Sequence, residues 1–150
     1  MEGLDIRYAT ADDLSAIVAL LADDPLGAQR ESPHDRAPYQ AALDRLSMDP
    51  NQHLVVAVRE GRVIGTLQLT IIPGLSHQGA TRALIEAVRI HADERGSGLG
   101  SLLIKWAIDT SQRLSCRMVQ LTSDKSRTDA HRFYERLGFN ASHEGFKLKL

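Results

Sequence analysis

One stretch, Ile85 to Leu103, limits what this chain can form more than any other part of it. The stretch opens as an apolar strand pattern, passes a polar turn, and continues through RGSGLG (residues 95–100) into an amphipathic pattern. This order predicts a strand, a glycine-rich turn and the start of a helix. The first N–H groups of a helix have no intrahelical partner and lie at the positive end of the helix dipole. The stretch is therefore a candidate anion site.

The composition of the turn indicates which anion it would hold. Glycine lets the backbone approach a ligand closely, and Arg95 adds a planar fork of donors that suits phosphate. The alternative is a plain helix cap that is rich in glycine. Three glycines at alternate positions after an arginine favour the phosphate site.

Two common phosphate motifs do not fit the turn. A Walker loop needs a Lys after its last glycine, and none follows here. A dinucleotide fingerprint needs Gly-x-Gly-x-x-Gly within a doubly wound sheet. The last glycine comes one residue too early for that pattern, and too little chain follows to complete such a sheet.

The pattern Arg-x-x-Gly-x-Gly, formed by Arg95, Gly98 and Gly100, resembles the pyrophosphate-binding signature of the GNAT superfamily of acetyl-CoA-dependent N-acetyltransferases. The later sequence RFYERLGF (residues 132–139) resembles the closing helix-and-turn motif of the same family. The two motifs stand in the right order, with a helix and a strand between them. The resemblance is specific from Ile85 to Phe139 and generic before that.

The resemblance implies acetyl-CoA as co-substrate and no metal. Arg95 would assist a set of backbone N–H groups in binding the pyrophosphate, namely those of Gly96, Ser97, Gly98, Leu99, Gly100 and Ser101. A gap at the sheet edge would let the backbone of Val88, Arg89 and Ile90 pair with the pantetheine arm. Arg127 stands where many relatives have an Asn that contacts CoA. That contact is either lost or replaced by Arg127 pairing with a phosphate of the cofactor.

Glu86 is the candidate general base. Side chains alternate along a strand, so one face is predicted to carry Leu84, Glu86, Val88 and Ile90. A carboxylate on an apolar face is costly to bury unless it is paired or used, and burial would raise its pKa. The alternatives are an ion pair with Arg82 or Arg89, and a register in which Glu86 faces solvent. In the resembled family, a Glu at the matching position often deprotonates the substrate amine.

Tyr134 is the candidate general acid. It shares a predicted helix face with Ala130, Phe133 and Leu137, so the alternative is an aromatic side chain packed in the core. A phenol can act as a general acid. The resembled family has a Tyr at this point of its closing motif, and its hydroxyl protonates the departing CoA thiolate.

The hydrophobic periodicities predict one domain, residues 1–150, of the α/β class. The expected order is β-α-α-β-β-β-α-β-α-β, a mixed sheet with helices on both faces, which is the acyl-CoA N-acyltransferase fold of the resembled family. Residues 53–59 and 63–72 are predicted to form a hairpin around a short turn that contains Gly61. The strand–helix–strand unit from residue 82 to residue 122 predicts a parallel pair. Residues 25–38 are predicted to be a loop because they contain three prolines and mixed charges. The alternating pattern FKLKL (residues 146–150) predicts a final strand.

Composition restricts the partners of the chain. The net charge is −1, so the chain lacks the excess of positive charge that is typical of proteins that bind nucleic acid or an anionic membrane. One cysteine excludes an internal disulfide and suits a reducing compartment. The N-terminus has no run that resembles a signal peptide, and a cytoplasmic protein is the expectation. No histidine or cysteine pair has metal-ligand spacing.

Together these observations predict an enzyme that transfers the acetyl group of acetyl-CoA to a primary amine, with Glu86 as base and Tyr134 as acid. A small-molecule acceptor is favoured because no charged docking surface stands out. Residues 25–38 and 73–81 are expected to shape the acceptor site. Acetylation of a protein lysine or N-terminus, and a CoA- or nucleotide-binding regulatory module without a reaction, remain open. An exposed edge on the final strand would allow a homodimer.

Overall fold

The structure is a computed structural model that describes residues 2–150. It contains five strands, which are β1 (Leu4–Tyr8), β2 (Gln52–Arg59), β3 (Arg62–Ile72), β4 (Arg82–Ile90) and β5 (Met118–Gln120). The helices are α1 (Leu14–Ala22), α2 (Pro25–Arg30), α3 (Ala37–Met48), α4 (Ser76–Gly79), α5 (Leu99–Arg113) and α6 (Thr128–Arg136). The described chain forms two compact units, one up to Gln120 and one from Leu121 to Leu150. All five strands lie in the first unit.

The sheet is mixed, with the strand order β1-β2-β3-β4-β5. Strands β1 to β4 pair antiparallel, and β4 pairs parallel with β5. The β2–β3 hairpin turns through Glu60 and Gly61, whose φ angles are 51° and 75°. Two positive φ angles in a two-residue turn match the right-handed twist of the flanking strands. The hairpin and the parallel pair that the sequence predicts are both present.

Two neighbouring residues of β1 show that helices cover both faces of the sheet. Arg7 donates to the Asp13 carboxylate at 2.8 and 3.0 Å, just before α1 begins. The Tyr8 ring packs edge-on against Trp106 of α5, with ring centroids 6.3 Å apart. Adjacent strand residues point to opposite faces, so α1 and α5 lie on opposite sides of the sheet. The predicted two-sided arrangement is confirmed.

Asp13 fixes the start of α1 to the sheet. Besides the two bonds from Arg7, its carboxylate accepts the Thr10 N–H at 2.7 Å. The bonds from Arg7 hold the pKa of this buried carboxyl below its ordinary value. A carboxylate with a lowered pKa stabilises the fold above the pKa of the unfolded chain, and that contribution is lost as the pH falls through the folded pKa.

The core has an apolar layer on each side of the sheet. On one side, Leu14 and Val18 of α1 and Leu43 of α3 form a buried cluster against Leu54. The sheet centre and α5 supply further residues without exposed surface, among them Val55, Leu67, Leu69, Leu99, Leu103 and Ile104. On α5, Leu99, Leu103 and Ala107 at helical spacing have no exposed surface, whereas Leu102 and Trp106 are half-buried.

Residues 25–38 differ from the prediction of a loop, because their first part is α2. The Asp24 side chain accepts the Gly27 N–H, and Pro25 occupies the first turn. An Asp N-cap followed by proline is a favoured helix start, since the missing proline N–H would be unpaired there in any case. The loop is limited to the residues between α2 and α3.

The predicted final strand is wrong, because residues 139–150 form no strand. Phe146 and Leu148, which belong to the alternating pattern, are 93% and 87% exposed. Alternation shows that a segment suits a pleated surface, but a strand also needs a partner for its backbone N–H and C=O groups. The edge that was expected to support a homodimer is therefore not formed.

Candidate active site

The second half of β4 lacks a partner on one side. Pairing with β5 covers only Arg82, Ala83 and Leu84 of β4. From Ile85 to Ile90, the part of the chain that the structure describes pairs with β4 through β3 alone. The gap that the family resemblance implies is therefore present, and backbone groups along one edge of this half have no strand partner.

A β-bulge lies within the same half of β4. Gln68 of β3 pairs with Glu86, whereas Thr66 pairs with Arg89, so two residues of β4 oppose one residue of β3. Ala87, immediately after Glu86, has φ 52°, in the left-handed region that non-glycine residues rarely adopt. A bulge leaves its extra residue outside the ladder, and bulges are common next to active sites.

The bulge shifts the alternation of side chains along β4. Glu86 and Arg89 both oppose even-numbered residues of β3 and therefore share one face. Ile90 opposes Gly65, and its side chain lies with Leu103 of α5 on the other face. The prediction that Leu84, Glu86, Val88 and Ile90 share a face is wrong for Ile90, because it assumes an unbroken period of two.

Glu86 itself is exposed. The sequence predicted a buried Glu86, and this prediction is wrong. The structure instead has the alternative in which Glu86 faces solvent. No residue between 2 and 150 forms a hydrogen bond or ion pair with its carboxylate. Arg89 instead pairs with Asp24, with 3.3 Å between Nε and Oδ2. The carboxylate is accessible to a bound substrate.

The glycine-rich turn has the conformation expected of an anion site. Gly96 and Gly98 have φ angles of 78° and 87°, and an added Cβ at either would meet no atom within 4 Å. Gly98 is the N-cap of α5 and offers no side chain to the first N–H groups of that helix. The Leu99 N–H donates to Ser97 Oγ at 3.4 Å, a long bond that a ligand oxygen would have to replace.

Arg95 already has an acidic neighbour. Its Nη2 lies 3.3 Å from the Asp23 carbonyl oxygen and 3.4 Å from the Asp23 carboxylate. Both side chains are more than half exposed. Asp23 and Asp24, at the α1–α2 junction, thus pair with Arg95 and Arg89 respectively, and both arginines follow Glu86 along the chain.

The second unit contains the other two predicted site residues. The half-buried Tyr134 of α6 packs against Phe133 and Phe139, with ring centroids 5.1 and 5.9 Å apart. Arg127 is exposed at the N-cap of α6, and its N–H donates to the Asp124 carbonyl at 3.0 Å. Gly138 follows α6 in the left-handed conformation, with φ 96°, as is common at the end of a helix.

A polar row and a groove beside it were not predicted from the sequence. The side-chain oxygen of Gln52 accepts bonds from Gln68 at 2.9 Å and from Thr70 at 3.0 Å. Gln52 also lines a groove of about 330 Å³, together with His53 and Tyr8. The Tyr8 hydroxyl lies 2.8 Å from His53 Nδ1, and burial lowers the pKa of His53. Polar residues inside otherwise apolar strands were the available signal.

Other reactive groups do not form a second site. Burial raises the pKa of the Cys116 thiol, which disfavours the nucleophilic thiolate. Within residues 2–150, no group of three or more His, Cys, Asp or Glu side chains is arranged to hold a metal ion. None of the helices in that range is both long and apolar enough to cross a membrane.

The five-stranded mixed sheet with helices on both faces is the α/β architecture of the GNAT acetyltransferases. The sequence profile of the acetyltransferase (GNAT) family matches residues 14–139. This chain belongs to the GNAT family of acetyltransferases, as the sequence motifs predict.

Three known proteins are similar to this chain. The aminoalkylphosphonate N-acetyltransferase of Salmonella typhimurium is 31% identical over 149 residues, which cover 97% of this chain and 91% of that protein. The glucosamine 6-phosphate N-acetyltransferase of Trypanosoma brucei brucei is 34% identical over 90 residues, which cover 60% of this chain and 59% of that protein. The crystal structure of a transcriptional regulator from Bacillus halodurans C-125 matches with a TM-score of 0.95 and 46% sequence identity. The match covers 98% of this chain and 99% of that one.

Proposed function

We propose that this protein transfers the acetyl group of acetyl-CoA directly to a primary amine of a small molecule. The observation that carries the proposal is the continuity of one stretch of chain. The half-paired strand, its bulge and the glycine-rich start of α5 follow each other between Ile85 and Ser101. Such a stretch offers backbone donors first to an amide-bearing arm and then to a pyrophosphate.

Binding of the cofactor is assigned to backbone groups with two arginines. The N–H groups of residues 96–101 hold the pyrophosphate, and Arg95 adds charge. Arg127 takes the place of the family Asn and pairs with a phosphate. The backbone of residues 88–90 pairs with the pantetheine arm at the edge that β5 leaves open. An N–H group of the bulge at Ala87 and Val88 polarises the thioester carbonyl.

The reaction needs one base and one acid. Glu86 accepts a proton from the bound ammonium group, directly or through water, and the free amine then attacks the thioester carbon. A C–N bond forms, the C–S bond breaks, and the Tyr134 hydroxyl gives its proton to the departing thiolate. The attacking nitrogen then loses a second proton, which returns to the Tyr134 phenolate through water and leaves a neutral amide. Holding both reactants together supplies much of the acceleration, because it replaces a bimolecular encounter. Acetyl-CoA supplies the activated acyl group.

The relatives suggest which amines to test first. One relative is named for an aminoalkylphosphonate and the other for glucosamine 6-phosphate, and both of these acceptors are small amines that carry an anionic phosphorus group. The first acceptor panel therefore contains aminoalkylphosphonates and amino sugar phosphates, with their phosphorus-free counterparts as controls. Peptides with a free lysine or N-terminus test the protein-acceptor alternative.

A regulatory module without a reaction is the second candidate. It is supported by the similarity to a protein described as a transcriptional regulator, which extends over nearly the whole chain. The two candidates make opposite predictions for Glu86→Gln and Tyr134→Phe. An enzyme loses turnover in both variants while it still binds acetyl-CoA, whereas a module binds the ligand and has no turnover to lose.

The first test is calorimetric titration with acetyl-CoA, using ATP and NAD as controls. Binding of acetyl-CoA at micromolar concentration, without binding of ATP or NAD, supports the cofactor assignment. Release of free thiol upon addition of an amine from the panel then supports the transferase. Absence of binding by acetyl-CoA and by CoA would contradict the proposal, and the glycine-rich turn would then be a helix cap or a site for another phosphate.

A further inference from the structure

A row of three polar side chains crosses strands β2 and β3 next to Glu86. Gln52, Gln68 and Thr70 are half-buried and are joined by two hydrogen bonds of 2.9 and 3.0 Å to the Gln52 side-chain oxygen. Gln68 is the register partner of Glu86 on β4. Residues directly opposite each other in an antiparallel pair share a face, with Cβ atoms roughly 5 Å apart. The Gln68 amide therefore lies beside the proposed base.

The bonds within the row use only part of the Gln68 amide. A glutamine side chain offers two N–H donors and an oxygen that accepts two bonds. One bond from this side chain, to Gln52, is found within residues 2–150. Because Nε2 donates to Gln52, the amide is held at one end and the Oε1 acceptor is left for another group. Glu86, its neighbour on β4, is likewise exposed and accessible.

We propose that Gln68, held by Gln52, is a positioning residue for the acceptor amine. An ammonium group carries three N–H donors, and an exposed carboxylate next to an amide oxygen accepts two of them. Glu86 takes the proton that is lost, and Gln68 keeps a second N–H, which fixes the direction of the nitrogen lone pair. Small errors in the placement of a reacting atom lower rates strongly, so this second contact bears on turnover as well as binding. The inference rests on the proposed acetyl transfer.

The test compares Gln68→Leu with wild type and with Gln112→Leu, which removes an exposed amide from α5. Gln68→Leu is expected to raise the KM for the acceptor about tenfold, since a hydrogen bond to a charged group is lost. The KM for acetyl-CoA should stay within about twofold of wild type, because the cofactor does not use this contact. Gln112→Leu should change neither constant.

Two further variants separate positioning from a structural role. Gln68→Glu keeps acceptor oxygens at the same place but loses the Nε2 bond to Gln52, so it should raise the acceptor KM only as much as Gln52→Leu does, whereas a loss of packing would raise it as much as Gln68→Leu does. Gln52→Leu releases the amide and should raise the acceptor KM less than Gln68→Leu does. The double variant should be no worse than Gln68→Leu alone, because both substitutions act through one contact. If Gln68→Leu fails to fold, Gln68→Asn takes its place. The shorter side chain moves the amide away from the acceptor, so the acceptor KM should rise in the same way.

The outcomes distinguish this inference from the proposed function. If wild type binds no acetyl-CoA or acetylates no amine, the proposed function fails. If wild type is active and Gln68→Leu has the wild-type acceptor KM, only the role of Gln68 fails. An equal rise in the KM for acetyl-CoA, or additive effects in the double variant, would also overturn it.

Discussion

The two halves of β4 share one strand and differ in what surrounds them. Arg82 to Leu84 pair with β3 on one side and β5 on the other, in regular conformation. From Ile85 onward the strand pairs, among residues 2–150, with β3 only, and it contains a bulge at Ala87. The first half satisfies its backbone groups within the sheet, and the second half leaves some of them for other partners. A regular ladder gives stability, whereas an interrupted one provides donors for a ligand.

The largest effect is expected at Glu86, in the open half. Glu86→Gln keeps the size of the side chain and removes the base, so kcat/KM for the amine should fall about 10²- to 10³-fold. Glu60→Gln, in the β2–β3 turn, changes an exposed carboxylate far from the bulge and should leave kcat/KM unchanged. Steady-state kinetics at saturating acetyl-CoA measure both. Equal activity of the two variants would remove Glu86 from the mechanism.

Tyr134→Phe should have the next largest effect. The ring contacts with Phe133 and Phe139 remain, so the unfolding temperature should change little. Loss of the hydroxyl should lower kcat about 10²-fold, because the thiolate then leaves without a proton donor. Thermal unfolding and kcat are measured on the same preparation. A wild-type kcat would restrict Tyr134 to packing.

Gly98→Ala tests whether the turn after β4 continues the function of its open half. Alanine in the left-handed region should cost about 1 kcal/mol in the free energy of unfolding. Gly61→Ala is a matched control, since its φ is 75° and an added Cβ would also meet nothing within 4 Å. The stability losses should therefore agree. The Kd for acetyl-CoA should rise about tenfold in Gly98→Ala alone, by displacement of backbone donors.

The smallest expected effect is a difference in stability between variants in the two halves of β4. Ala83 is fully buried in the doubly paired half, so Ala83→Gly should lower the free energy of unfolding by about 1 kcal/mol. Ala87→Gly should stay within about 0.5 kcal/mol of wild type, because glycine relieves a left-handed conformation while it adds freedom to the unfolded chain. Urea titrations measure both. Equal losses would mean that the bulge stores no strain.

The sequence predicts the antiparallel strands, the parallel pair and α5 well. These elements depend on the spacing of apolar residues and on the glycines that mark the turns between elements. It also predicts the position of the turn, because Gly96 and Gly98 are the residues that left-handed backbone prefers. The bulge is not predictable in this way. Ala87 is not a residue that signals positive φ, so the phase shift between Glu86 and Ile90 appears only in the pairing register.

The other differences have one local cause and two that depend on distant parts of the chain. Helix α2 begins at Asp24-Pro25, shortly after the end of α1. In a sequence, a proline is compatible both with the end of one helix and with the first turn of the next. The apolar alternation of residues 146–150 has no strand partner in the part of the chain that the structure describes. The polar row needs Gln52 and Gln68 to be brought together from two strands, which no local pattern encodes.

The contact between Arg95 and Asp23 makes anion binding at the turn an exchange of counterions. A phosphate that binds Arg95 replaces a carboxylate that is already 3.4 Å away, so the net gain is smaller than a bare guanidinium would give. Dissolved salt screens the old pair and the new one together, since both are exposed. The affinity for a phosphate ligand should therefore fall less steeply with ionic strength in wild type than in a variant without Asp23.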